Sequence, residues 1–183
     1  MSRIKRLADS YGRHIAVPWR EDAAAAQRVI FCVYHQTDER ALRAGIGEFD
    51  IVTRRAGHGW ILFDLTDTFA EWLAGQRYAV KYFQQPRLLS SLLPRYQEFI
   101  VARCKAFLAD CQAGATDVVA FQGVGSLFGL LRVKPLVDQL APLVPGRLVL
   151  FFPGSCEHDN YRLLDGYDGW NYLAMCITAD KDG

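Results

Sequence analysis

The chain has almost no excess of charge of either sign. Its 21 lysines and arginines meet 20 aspartates and glutamates. The global basic footprint of a nucleic-acid binder is therefore absent, and direct nucleic-acid binding is not expected. Long apolar runs are missing too, since none approaches the roughly 18 residues that a membrane helix needs. The basic N-terminus, MSRIKRLADSYGRH, has no apolar core to make it a signal peptide. A cytoplasmic location and no membrane contact are the expectations. Cysteines are few and odd in number: Cys32, Cys104, Cys111, Cys156 and Cys176, with no CxxC pair. That pattern argues against a disulfide framework and for buried free thiols in a reducing compartment.

Signatures of catalysis are also missing. There is no GxxxxGK followed by Ser or Thr, no HExxH and no GxSxG. His14, His35, His58 and His158 lack the spacing of a metal-binding helix. Cys156, Glu157, His158 and Asp159 are adjacent in SCEHDN. Adjacent side chains rarely converge on one ion, so a solvated loop is the expectation there. No catalytic residue, metal or cofactor is assigned.

What is present is a globular composition, 51% hydrophobic over 183 residues, enough for one domain spanning 1–183. RVIFCVYH predicts a strand over Val29–Tyr34, continuously apolar and so buried on both faces. A polar helical segment follows, with Asp38 as its N-cap and an end blurred by Gly45 and Gly47. WILFDL predicts a second strand, Trp60–Leu65. Thr68 and Glu71 then have capping-box spacing, and Gly75 can stop that helix. The longest helix is expected over Pro94–Cys111, with Tyr96, Phe99, Ile100, Cys104, Phe107 and Cys111 on one stripe.

A third strand is expected over Val118–Phe121, a helix over Lys134–Leu143, and a fourth strand over Arg147–Phe152 ended by Pro153 and Gly154. Strand, crossover and strand fill the length of a βαβ unit. The tail, NYRLLDGYDGWNYLAMCIT, reads as two more strands around the turn-rich DGYDG. The fold class is α/β, with a mainly parallel sheet flanked by helices and the look of a degenerate nucleotide-binding fold.

The stretch VVAFQGVGSLFGLLRV decides whether that fold keeps a phosphate site. Gly123 and Gly125 follow a strand, as a dinucleotide loop requires, but Gly129 comes one position too late for GxGxxG. The nearest cation is Arg132. The plain reading is that the glycines allow φ > 0 and close packing at a strand exit, which would make Gly125→Val destabilising. The functional reading is an anion site built from Gly123, Gly125, Ser126 and Arg132. Asp64, near the end of the second strand, and Asp67, just after it, are candidate ligands of a nucleotide-bound Mg²⁺; the plain reading is that Asp67 or its neighbours cap the next helix.

Two segments carry a resemblance. FQGVGSLFGLLRVKPLVDQLAPLVPGRLVLFFPG and NYRLLDGYDGWNYLAMCI, together with FDLTDTF, are similar to the BrxB family of BREX phage-defence systems. The resemblance runs over nearly all of the chain. It implies a bacterial cytoplasmic protein working beside a methyltransferase, a large ATPase and PglZ, a phosphatase-like protein. The implied role is accessory or assembly, with other BREX proteins as partners and a PglZ-like protein foremost. No catalytic residue comes with the resemblance.

A subunit of that kind acts through contacts. Trp19, Trp72, Tyr78, Tyr82 and Phe83 are the aromatics expected in or near loops. The YAVKYFQQP segment is polar around its aromatics, so Tyr78, Lys81, Tyr82, Phe83 and Arg87 are the expected interface anchors. The alternative is a nucleotide-binding protein or switch that uses the Gly123–Gly125 turn.

Overall fold

The computed structural model describes residues 1–166 and 169–179. Part of the DGYDG turn, residues 167 and 168, lies outside the described residues.

The strand expected from VIFCVY is β1 (Val29–Tyr34), buried along its whole length. It sits inside the sheet, between β4 (Arg147–Glu157) and β7 (Met175–Ile177), and pairs with both in parallel. On the far side of β4 lie β3 (Asp117–Gln122) and then β2 (Gly59–Asp64), also parallel. The sheet order is β2-β3-β4-β1-β7. From β1 the chain crosses to the far margin at β2, then steps back through β3 and β4. Crossovers of one hand running in opposite directions place their helices on opposite faces.

One face carries α1 (Arg3–Ile15) and α2 (Glu39–Arg55) over Ile30, Cys32, Tyr34, Val118, Ala120, Val149 and Phe151. The other carries α3 (Thr68–Ala74), α5 (Leu93–Asp110) and α6 (Val133–Leu140) over Val29, Phe31, Phe63, Val119, Leu150 and Phe152. The fold class is therefore α/β with a mostly parallel sheet, as expected. A further helix, α4 (Ala79–Gln84), stands between α3 and α5. Among the described residues, no helix is long and apolar enough to cross a membrane.

Each face holds one buried Tyr–Thr pair. On the first, Thr53 donates to the Phe49 carbonyl, so the Tyr11 hydroxyl donates to Thr53 at 2.7 Å. On the second, Thr68 donates to the Leu65 carbonyl and receives the Tyr96 hydroxyl at 2.8 Å. This overturns the capping box. Thr68 is already helical and spends its hydroxyl inside, while Glu71 pairs with Arg103.

Other differences from the sequence reading have local causes. Helix α1 was not expected, yet Ile4, Leu7, Ala8, Tyr11 and Ile15 recur at helical spacing and are all buried. Helix α2 runs on past Gly45, and a Cβ at Gly45 would lie 3.0 Å from Ile4, so that glycine serves the α1–α2 contact. Asp38 does not cap α2 with its side chain; it pairs with Arg3. The long helix buries Tyr96, Ile100, Cys104 and Leu108, while Cys111 is exposed.

Pro153 and Gly154 do not end β4. The strand continues and turns antiparallel to β5 (Asn160–Leu163), which in turn pairs with β6 (Trp170–Asn171). A Cβ at Gly154 would lie 1.9 Å from the Arg162 carbonyl oxygen, so only glycine lets the partner strand approach. The SCEHDN segment is accordingly a hairpin. His158 and Asp159 both have positive φ, 48° and 63°, as a type I′ turn demands. Among the described residues the tail forms three short strands, β5, β6 and β7, where two were expected. The Phe31 ring meets Phe152, Tyr161, Trp170 and Tyr172 at centroid distances of 4.5–5.9 Å, and this cluster pins the hairpin to the sheet.

At the other margin, the Leu65 amide donates to the Gln122 carbonyl across to β3. By the two-residue period of a strand, Ile61 and Phe63 also turn their backbone groups to β3, while those of Trp60 and Leu62 face outward. Among the described residues no strand pairs with that outer edge.

Candidate functional site

Open α/β sheets place ligands at the carboxyl ends of their strands. Here that end is filled by the protein's own polar groups. Tyr34 closes β1 and donates its hydroxyl to Glu39, in the first turn of α2. The other Glu39 oxygen accepts from Arg43 Nε at 2.7 Å. Arg43 reaches on to the Thr66 hydroxyl at 2.7 Å and lies 3.7 Å from the Asp64 carboxylate. Asp64 closes β2. It accepts from the Thr66 amide at 2.9 Å and from Gln122, at the end of β3, at 2.9 Å.

The charges are set by these contacts. Burial works against an ionised Asp64, but the hydrogen bonds from Thr66 and Gln122, with Arg43 alongside, outweigh it and hold the carboxyl below its ordinary pKa. Burial pushes the Tyr34 phenol up, and the Glu39 carboxylate adds to it. The network holds an anion and a neutral phenol at neutral pH. Among the described residues, no three His, Cys, Asp or Glu side chains group as metal ligands.

The glycine turn sits against this network. Gly123 is left-handed, φ 76°, and a Cβ there would fall 2.5 Å from the Thr66 hydroxyl and 2.9 Å from Asp64. Gly125 has no positive φ, which corrects the expectation for that position; its Cβ would meet Pro153 at 3.3 Å. Ser126 donates to the Gly123 carbonyl at 2.7 Å. Residues Val124–Leu127 make one 3₁₀ turn, and α6 begins only at Val133. Arg132 therefore stands apart from the other three anion candidates. It is the N-cap of α6 and lines a groove of about 730 Å³ with Phe128, Leu131, Val133 and Trp170.

The second candidate region is the crossover between α3 and α5. From Ala74 to Arg95 no residue is fully buried. Helix α4 and the 3₁₀ turn Pro86–Leu89 are held to the core only by partly buried Tyr82, Leu89 and Leu92. Tyr78, Val80 and Phe83 are 55%, 69% and 63% exposed. Lys81 and Arg87 are exposed beside them, and Arg77 lies 5.3 Å from the centre of the Tyr78 ring. Of the aromatics expected in loops, Trp72 is buried at 5%, and Trp19 is half-buried, stacked on His58 at 3.7 Å. Sequence reading missed Arg77 and Val80 here, and Tyr34, Glu39, Arg43 and Gln122 at the sheet end. Only the Glu39–Arg43 helical spacing gave a signal.

No curated protein and no solved structure matches the chain. A family model described as BREX protein BrxB matches residues 67–175. The match begins at Asp67, so it takes in the crossover, the glycine turn and the hairpin but leaves out α1, β1, α2 and β2. This is narrower than the nearly complete coverage expected, and only the last three residues of FDLTDTF fall inside it. More than half of the chain is matched, and the chain belongs to the BrxB family.

Proposed function

We propose that this chain is a non-catalytic accessory and assembly subunit of BREX phage defence, acting in the cytoplasm through protein contacts. Membership of the BrxB family makes it a BREX component. The direct partner we propose is the PglZ-like protein of the same system, held through Tyr78, Lys81, Tyr82, Phe83 and Arg87. The observation that carries this is the exposure of Tyr78, Val80 and Phe83 on a segment where nothing is fully buried. Ordering such a segment costs conformational entropy that little core burial offsets. Clustered exposed apolar side chains with arginines nearby are the usual makings of an interface centre.

The test is direct. The purified chain and the PglZ-like protein encoded beside it are mixed at micromolar concentration, run on size exclusion and then titrated by calorimetry. Co-elution is expected, with about 1,200–2,000 Å² of total surface buried. Phe83→Ala should weaken the complex about tenfold or more. Phe83 is the better probe than Tyr82, because Tyr82 also packs on the core. Two separate peaks and no heat, with both proteins folded, reject this partner.

A further inference from the structure

We infer that the α4 crossover is built for an acidic protein surface, one with carboxylates opposite Lys81 and Arg87 and an apolar recess for Phe83. This rests on the reading of the crossover as a protein contact, and adds the chemistry of the other side.

The stretch from Trp72 to Gln97 holds Arg77, Lys81, Arg87 and Arg95 and not one aspartate or glutamate, in a chain whose charges otherwise nearly cancel. All four cations are exposed. Elsewhere, basic side chains find acids close by: Arg3 with Asp38, Arg43 with Glu39, Arg54 with Asp50, Lys134 with Asp138. Among the described residues, none of the four crossover cations has an ion-pair partner. Glu71, at the border of the stretch, is taken by Arg103. The positive charge is thus left unneutralised, in the same stretch as the exposed Tyr78, Val80 and Phe83.

Charge of one sign around apolar anchors steers a partner of the opposite sign and then buries the anchors. A phosphate backbone would answer the cations but leave Val80 uncovered, because it offers no apolar recess. A lipid surface asks for a continuous apolar helix face. Helix α4 offers little of one: it spans six residues, and Tyr82 packs inward, leaving Val80 and Phe83 as its exposed large apolar side chains. An acidic protein surface with a recess satisfies both kinds of group.

The experiment titrates the full chain with each purified protein of its defence cluster, the PglZ-like protein first. A duplex DNA of about 30 base pairs and phosphatidylglycerol vesicles are separate arms. Each titration is run at about 50 and about 300 mM NaCl. A protein component should bind, with affinity falling about tenfold or more between the two salts. Lys81→Glu/Arg87→Glu should weaken it about 100-fold. Arg40→Glu/Arg55→Glu, the same change in net charge on exposed positions of α2, should change it less than about threefold. Changing acids on the bound component to lysine should restore binding to the Lys81→Glu/Arg87→Glu variant.

Binding by the PglZ-like protein that ignores both salt and the double reversal overturns this inference while leaving the partner reading intact. Salt-sensitive, reversal-sensitive binding by a different protein component does the opposite. Reversal-sensitive binding to DNA or vesicles with no protein bound overturns the acidic-protein inference. Absence of binding in every arm overturns it as well.

Discussion

The carboxyl end of the sheet and the α4 crossover are opposites. At the sheet end, Tyr34, Glu39, Arg43, Asp64, Thr66 and Gln122 use their polar groups on one another. At the crossover, three large apolar side chains and four cations stand in solvent. The difference separates polar groups that satisfy one another from side chains left in solvent. In this chain the position where α/β folds usually take a ligand is closed by internal hydrogen bonds. The exposed apolar side chains and cations lie instead in an excursion that contributes little to the core, the segment proposed above as the contact surface. A fold alone does not disclose function.

The contrast can be broken hardest at Gly123. Gly123→Val puts a β-branched residue at φ 76° with its Cβ against Thr66 and Asp64. A loss of about 3 kcal/mol or more is expected in urea unfolding, because strain and overpacking add. Gly125→Val, without the positive φ, should lose less, and equal losses would show that the left-handed turn is not what holds the sheet end.

Arg43→Ala removes the cation between Glu39 and Asp64. Both pairs are partly exposed, so the loss should be about 1 kcal/mol. The same network fixes the acid limb. The Asp64 carboxyl binds its proton less readily folded than unfolded, so its contribution is present above the unfolded value of 3.8 and lost as pH falls through the lower folded value. Asp64→Asn should flatten the stability–pH curve below about pH 4.

On the alkaline side the sign reverses. Burial, and then the Asp138 carboxylate, push Tyr172 up to about 12; burial also raises Tyr11, Tyr34, Tyr96 and Tyr161. Phenols that hold their protons more tightly when folded stabilise fully below 10.0. That contribution should fall as pH rises from 10.0 through the folded values, as circular dichroism can follow.

The smallest effects are expected where the contrast predicts none. Saturating Mg²⁺–ATP should leave the melting temperature unchanged, whereas a ligand at a hundred times its Kd would add about 2.7 kcal/mol. Phe83→Ala should alter stability by no more than about 0.5 kcal/mol, because its ring is 63% exposed. A larger loss would return Phe83 to the core and sharpen doubt about the crossover as a free surface.

Much of this was legible before the fold was known, for reasons that differ by residue. Val29–Tyr34 reads as a buried strand because every residue in it is apolar, and both faces of β1 are indeed covered. Pro153 and Gly154 read as a stop because they usually are one. Here the Pro153 carbonyl accepts from the Leu164 amide, and Gly154 admits Arg162, so the pair marks a change of strand partner. The exposure of Tyr78 and Phe83 was legible from their polar surroundings in YAVKYFQQP. The sheet-end network was not, because Tyr34, Arg43, Asp64 and Gln122 meet only once β1, β2 and β3 are in register with α2.

The bare outer edge of β2 sets a pattern in time as well as in space. Backbone amides exchange hydrogen with water according to how often their bonds open. Ile61 and Phe63 are bonded into the sheet, so their amides should exchange late, with the global unfolding of the core. Trp60 and Leu62 point theirs outward, with no strand beside them, and should exchange early. Neighbouring residues of one strand will then differ by orders of magnitude in protection, and any protein strand that adds to this margin will announce itself by slowing the outward-facing amides, those of Trp60 and Leu62 among them.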